Sequence, residues 1–377
     1  MNNVITASRM NGLINCPRSH FWSYEVGLTK DDNSPALRFG SAWHRAMEER
    51  WKGGTYDQAL ALAIPQGVGM DEYACAVLAA LLAAYYDYYG PIERVGKINP
   101  EIQFDFPLED GFSAQGKIDG LGSMRSGRSA LIESKTTSDS IEPQSDYWIR
   151  LRFNVQVLNY TVAARVLGWD VAEVYYDVTK KPMLKPKEIC SLDSKGRKIV
   201  VDKNGTRIYR QKKQKFTVGN GKKAKEEIRE VDDLDKPRLS GDEGKGWVVK
   251  SHIETPDEYC DRLWRDAKAR PEFYFKRQEI AIPDGDIEKF ENHRKAMVRL
   301  IQHYRSQESD DFERDAEAWP RNISTNTCKF CRYQSFCLQN ISIDINNPPE
   351  GFEIKPFNPE LEKYETTNET TGTDAAA

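Results

Sequence analysis

Gly116-Lys117-Ile118-Asp119-Gly120, Arg125-Ser126-Gly127-Arg128 and Ile132-Glu133-Ser134-Lys135-Thr136 follow one another within residues 112–137. The first and third runs alternate as strands do, and the second is a turn sequence. Residues 112–124 and 129–137 therefore read as a β-hairpin. A turn centred between Ser126 and Gly127 places Asp119 opposite residue 134, give or take one. Glu133 and Lys135 flank that position and, two apart, point to one face. If the pairing slips by one, Asp119 joins that face directly.

Such a face offers two carboxylates and an ammonium, a set that suits metal-assisted phosphodiester hydrolysis. A hard Mg²⁺ or Mn²⁺ ion takes a few oxygen ligands and keeps waters. Asp119 and Glu133 supply carboxylates, and the backbone carbonyl of Ser134 is placed to add another. Lys135 can orient the attacking water or stabilise developing negative charge. The same residues have a plainer reading. Glu-X-Lys is common on strands, and Asp119 can simply end one. The hairpin alone leaves both open.

Working outward, residues 8–26 read as helical, with Cys16-Pro17 inside one helix or between two short ones, 36–51 and 70–89 as helices, and 101–106 as a strand. Beyond the hairpin come a helix over 147–167 and a strand over 171–178. Thr255-Pro256-Asp257-Glu258 supplies a cap, a proline at the first helical position and a Glu three after the cap, opening a helix to about 269. A strand over 273–282 and a helix over 287–305 follow. The order predicts an α/β protein with a mixed central sheet flanked by helices. Gln156 and Tyr160, four apart, share a helix face. With Phe153 and Val157 nearby, that face also reads as a core helix with a wet edge. His44 lies on a face with Met47 and Trp51, where a lone His is more often a structural group than a ligand.

The chain has 377 residues, 39% apolar and 30% charged, which fits one large domain or two ordinary ones. The longest apolar stretch, Ala74–Tyr86, is shorter than the roughly 18 residues a membrane helix needs. The start of the sequence has no basic run followed by an apolar one, so a cytoplasmic location is expected. Net charge is −4, which argues against non-specific nucleic-acid binding. The charge is uneven, however. Residues 181–250 hold 20 Lys and Arg against 11 Asp and Glu, and read as an inserted hairpin or extended arm. A positive field there suits phosphate contact. A solvated charge-rich insertion reads equally well.

Of seven cysteines, Cys328, Cys331 and Cys337 cluster, Cys16 stands near the N-terminus, and Cys75, Cys190 and Cys260 are scattered. The cluster favours a metal or iron–sulfur site over a disulfide framework. Three late thiolates need a fourth ligand, and Cys16 is the candidate. Four thiolates fit either a cubane iron–sulfur cluster or tetrahedral zinc.

Taken in order, Thr6-Ala7-Ser8 to Cys16-Pro17, Gly40 to His44, the two hairpin motifs, Gln156 to Tyr160 and the three late cysteines make a pattern. By it, the sequence resembles RecB-type nucleases of the PD-(D/E)XK superfamily that carry an iron–sulfur staple, such as AddB and the CRISPR-associated RecB-like exonucleases. The likeness covers roughly residues 5–180 and 255–340. It implies a restriction-endonuclease-like core, with His44, Asp119 and Glu133 on the metal, Lys135 as catalytic lysine, and Gln156 and Tyr160 in support. It further implies a [4Fe–4S] cluster on Cys16, Cys328, Cys331 and Cys337, with zinc as the alternative. A single-stranded DNA end is the implied substrate.

The expected organisation is N-terminal helices and nuclease core over 1–180, the basic insertion over 181–250, the rest of the nuclease domain over 251–340, and a disordered tail over 341–377. The expected function is a Mg²⁺- or Mn²⁺-dependent DNA exonuclease of recombination or repair, of phage or mobile-element type. A helicase or recombination protein is a possible partner, since no Gly-X4-Gly-Lys-Ser/Thr motor motif is present. The alternative is a non-catalytic DNA-binding or assembly module that keeps the nuclease fold and the iron–sulfur or zinc site.

Overall fold

The computed structural model describes residues 3–30, 34–67, 69–93, 95–171, 173–220, 223–238, 246–307, 312–341 and 343–355. The chain divides into two compact units, one of residues 1–182 with 264–377 and one of 183–263.

The first unit opens with β1 (Val4–Ile5), α1 (Ala7–Asn15) and α2 (Pro17–His20), then a π-helical turn (Phe21–Glu25) and β2 (Leu28–Lys30). Cys16-Pro17 thus falls between two short helices, one of the two arrangements read for 8–26. Cys16 is extended (φ −165°), and Pro17 can only begin a helix there. Next come α3 (Pro35–Trp51), α4 (Tyr56–Gln66) and α5 (Glu72–Ile92). The sequence reading missed α4, whose capping box of Thr55 and Gln58 was its signal. A meander follows: β3 (Val95–Pro107), β4 (Ser113–Met124) and β5 (Ser129–Thr137). The helix expected over 147–167 is two, α6 (Asp146–Arg152) and α7 (Val155–Val166). Asn154 separates them, its side chain accepting from Gln156 N at 2.8 Å as the cap of α7. The chain returns as β6 (Glu173–Lys180), parallel to β5.

The second unit holds β7 (Glu188–Cys190), β8 (Val200–Val201), β9 (Tyr209–Val218), β10 (Lys225–Pro237), β11 (Val248–Val249) and β12 (Ser251–Ile253). These pair antiparallel as β12–β7, β11–β8 and β10–β9. It also contains the start of α8 (Pro256–Ala269), where Thr255 N donates to Glu258 Oε2 at 2.9 Å in the expected capping box. Back in the first unit stand α9 (Pro271–Tyr274), β13 (Phe275–Glu279), α10 (Asp284–Arg305), α11 (Phe312–Ala318), α12 (Thr325–Cys328), α13 (Gln334–Cys337) and β14 (Phe352–Ile354). The tail expected to lack structure from 341 thus includes a strand. β14 pairs with β2, and a Cβ on Gly27 (φ +77°) would fall 2.0 Å from the Lys355 carbonyl, so the approach requires glycine. Residues 356–377 lie outside the described residues.

The central sheet is mixed and runs β1-β4-β5-β6-β13, with β3 also on β4. This α/β arrangement is the expected fold class. β3 occupies one edge of β4 along its length, so β1 and β5 share the other. β1 takes Ser113 and Ala114, and β5 takes Gly120 to Ser123. Between them the edge opens into a fork at residues 115–119. One sheet face packs Leu121, Leu131, Val174, Tyr176 and Val178 against the buried sides of α7 and α10. On the other, Ile98, Ala130 and Ile132 cluster with Trp51 at the end of α3. Behind the fork, buried Asp177 pairs with Arg277 at 3.1 Å and accepts from Tyr85 of α5, tying that helix to the sheet.

Candidate active site

The hairpin turn spans three residues. Met124 N donates to the Arg128 carbonyl at 2.9 Å, and Gly127 takes φ +84°. The turn centres on Ser126, and the ladder runs Leu121 to Leu131 and Gly120 to Ile132. Continued by one step, that register sets Asp119 opposite Glu133, within the range read from the sequence. The ladder stops there. Asp119 Oδ2 accepts from the backbone N–H of Ser134 at 3.0 Å, so the side chain replaces a strand bond where β4 and β5 part.

Glu133 shares a strand face with Leu131 and is fully buried. Lys135 Nζ donates to Glu133 Oε1 at 2.5 Å and to Gln156 Oε1 at 2.8 Å. Gln156 Nε2 donates on to the Tyr160 hydroxyl at 3.0 Å. Helical spacing makes this relay possible, since residues four apart stack. His44 enters from α3, with Nδ1 3.2 Å from Asp119 Oδ2. Gly40, one turn earlier, brings α3 close to β5, where its added Cβ would stand 3.9 Å from Thr136 Oγ1. The structure thus gathers His44, Asp119, Glu133, Ser134, Lys135, Gln156 and Tyr160 at the fork. Sequence reasoning missed Asn154, which caps the helix under Gln156, and Tyr147, whose pKa is pushed up to about 12 by burial, then Asp139, with Glu133 adding. Asn154 had a local signal, an N-cap residue ahead of a helix, whereas Tyr147 depends on α6 folding back, which no local pattern signals.

The two carboxylates titrate apart. Burial lifts Glu133 to about 7, and the Asp119 charge adds to it, despite Lys135. Burial would lift Asp119 too, but His44, Lys135 and the Ser134 N–H hold it below the ordinary carboxylate value. Burial opposes charge on His44 and Lys135, yet the carboxylates keep both above their ordinary values. Pairs of carboxylates whose environments push their pKa values apart are common in active sites, as they are in structural ion-pair networks.

Among the described residues, no three His, Cys, Asp or Glu side chains stand together as a metal-holding group. The donor set still fits a hard divalent ion, which takes one or two carboxylates and retains waters. Glu133 Oε2 is buried with no hydrogen-bond partner, which leaves a carboxyl oxygen that a cation could take up.

Elsewhere in the unit, residues 18–28 are tied to residues 319–333. Arg18 N donates to the Pro320 carbonyl at 3.0 Å, and Arg18 Nε to the Trp319 carbonyl at 2.9 Å. Tyr333 Oη donates to the Leu28 carbonyl at 2.7 Å. Cys16, Cys328, Cys331 and Cys337 all line one cavity there, with Arg321. Cys75 does not line it, and Cys190 and Cys260 belong to the other unit. All seven are free thiols. Burial raises the Cys337 thiol pKa, and Arg321 and Arg18 oppose that rise. Four thiols beside two guanidinium groups fit an anionic thiolate centre in donor type.

A family model described as PD-(D/E)XK nuclease superfamily matches residues 4–338. No curated protein matches the chain. A solved structure titled "Crystal structure of SSO0001" is similar at 13% identity, covering 48% of this chain and 63% of that one, with a TM-score of 0.24. No helix among the described residues is long and apolar enough to cross a membrane.

Proposed function

Because the chain belongs to the PD-(D/E)XK nuclease superfamily, we propose that it is a Mg²⁺- or Mn²⁺-dependent deoxyribonuclease acting on single-stranded DNA ends. The observation that carries this reading is the contact chain from Asp119 through Ser134 to Glu133, Lys135, Gln156 and Tyr160. Asp119, Glu133, the Ser134 carbonyl and His44 would hold the ion. Such an ion supplies a water of lowered pKa and neutralises charge on the phosphoryl oxygens.

The protein's own groups do the rest. Lys135 Nζ, held between Glu133 and Gln156, orients the attacking water or meets the charge that develops on the phosphate. Gln156 and Tyr160 fix that ammonium in place, so their role is positioning. Asp119, kept ionised, anchors the fork through Ser134 N. The cavity of four thiols is read as the seat of a [4Fe–4S] cluster, or of zinc, that closes the fold by joining Cys16 to the late cysteines. The setting is recombination or repair of phage or mobile-element type, with a helicase or recombination protein as motor. The test is cleavage with Mg²⁺ or Mn²⁺ of single strands blocked at the 5′ or 3′ end, beside Lys135→Ala. No cleavage of any strand would sink the reading.

A further inference from the structure

β9 and β10 form a ribbon most of whose residues are exposed, with Tyr209, Phe216, Val231, Asp233 and Pro237 less so, and both of its faces meet solvent. A two-stranded ribbon is marginal in water by itself, and a partner on one face would stabilise it. Its register runs from Lys225 opposite Val218 to Asp233 opposite Arg210. Directly opposed residues share a face, and the face alternates along each strand. The register therefore sorts the charges.

One face carries Arg210, Lys212, Lys225 and Arg229 against Glu227 and Asp233. The opposite face carries Lys213 and Lys215 against Glu226, Glu230 and Asp232. The first is net positive by two and the second net negative by one. The sequence shows only a basic strand followed by an acidic one. The positive face also holds an aromatic ring. Phe216 lies there, with the Arg229 guanidinium 5.7 Å from its centroid. Cations interleaved with an aromatic ring make a surface that tracks a single-stranded backbone and stacks a base.

We propose that this face of the ribbon, Arg210, Lys212, Lys225 and Arg229 around Phe216, binds single-stranded DNA, while the reverse face stays in solvent. The proposal rests on the nuclease reading for its choice of ligand and names a surface that reading does not use. Phosphates pair with the cations, and a base lies on Phe216.

The test compares two matched pairs in the full-length protein. Lys212→Gln/Lys225→Gln and Lys213→Gln/Lys215→Gln remove the same charge from opposite faces. Binding of a fluorescent oligothymidylate is followed by anisotropy across salt concentrations in EDTA, so that no cleavage intervenes. The front pair should lose about tenfold in affinity, and its log–log salt slope should shrink by about 1.4, for two phosphate contacts on a single strand. The rear pair should stay within about twofold of the parent. Phe216→Ala should weaken binding about fivefold with the slope unchanged, as lost stacking does. Equal losses from both pairs would reduce the effect to bulk charge and overturn the proposal, as would no loss from either. Cleavage of a trinucleotide by the parent, assayed alongside, judges the nuclease reading separately. All four lysines are exposed, and unchanged melting temperatures show that the variants fold.

Discussion

Lys135 and Glu133, two apart on β5, form an ion pair at 2.5 Å in which the acid is fully buried and the base is 24% exposed. The pair makes the lysine proposed for catalysis a structural counter-ion as well. Lys135→Ala should lower cleavage about 100- to 1000-fold, the loss typical of one transition-state donor. It also leaves Glu133 buried without its cation. At pH 6 the acid stays protonated and the loss of stability is small. At pH 9 it must ionise unpaired, and the variant should melt well below the parent. Equal melting shifts at the two pH values would contradict this.

Glu133→Gln isolates the cost of that carboxylate. Its pKa is about 7 in the fold against an ordinary 4.5, so the folded state disfavours ionisation. For an acid raised in this way, stability is fully present below about 4.5 and is lost as pH rises to about 7. The span corresponds to about 3 kcal/mol. In EDTA at pH 8, Glu133→Gln should melt several degrees above the parent, and with Mg²⁺ present it should lose cleavage. A variant that melts lower at pH 8 would show that the parent carboxylate is stabilising.

Gln156 separates positioning from chemistry. Its Oε1 holds the Lys135 ammonium, and its Nε2 holds Tyr160. Gln156→Ala should reduce the turnover number about tenfold, less than Lys135→Ala, with KM for DNA little changed. Gln156→Glu keeps the acceptor and should recover part of the rate. A loss confined to KM would make Gln156 a binding group instead.

His20 sets an acid limit. It is fully buried, accepts from Arg9 Nε at 3.1 Å and stacks on Trp319. Burial, then the Arg9 and Arg305 charges, hold its pKa well below the ordinary 6.5. A base depressed in the fold stabilises it above the unfolded pKa, and that contribution is lost as pH falls below about 6.5. His20→Gln keeps an acceptor without the titration, so its melting temperature should fall less than the parent's between pH 7 and 5. Parallel falls would exclude His20 as the sensor.

Cys331→Ser should yield poorly soluble protein, because a shared centre on four thiolates would contribute folding free energy. Cys75→Ser should behave like the parent. Anaerobic protein should be brown, with iron and sulfide in equal amounts. A colourless protein with one zinc per chain would replace iron by zinc and leave the staple.

Much of this was readable in advance because it is local. The two strands of the hairpin, the Thr255 cap and the Gln156–Tyr160 pair follow from spacings of two, three and four residues. The register was legible to within one residue. Its last step turned on Gly127 at positive φ, which makes the loop three residues long and centres it on Ser126.

The sequence by itself determined which groups are available: two carboxylates and a lysine on one hairpin, four clustered or complementary cysteines, and a basic insertion. Only the tertiary structure decided how they meet. His44 reaches Asp119 from 75 residues earlier because α3 crosses the fork, Glu133 is buried because β6 and its helices close over that face, and Cys16 joins the late cysteines through Arg18 and Tyr333. In the second unit, pairing sorted one run of charge onto two unlike faces. Each depends on contacts between residues far apart in the chain, where position is fixed by packing and pKa by burial, and neither is encoded in the spacing of neighbours.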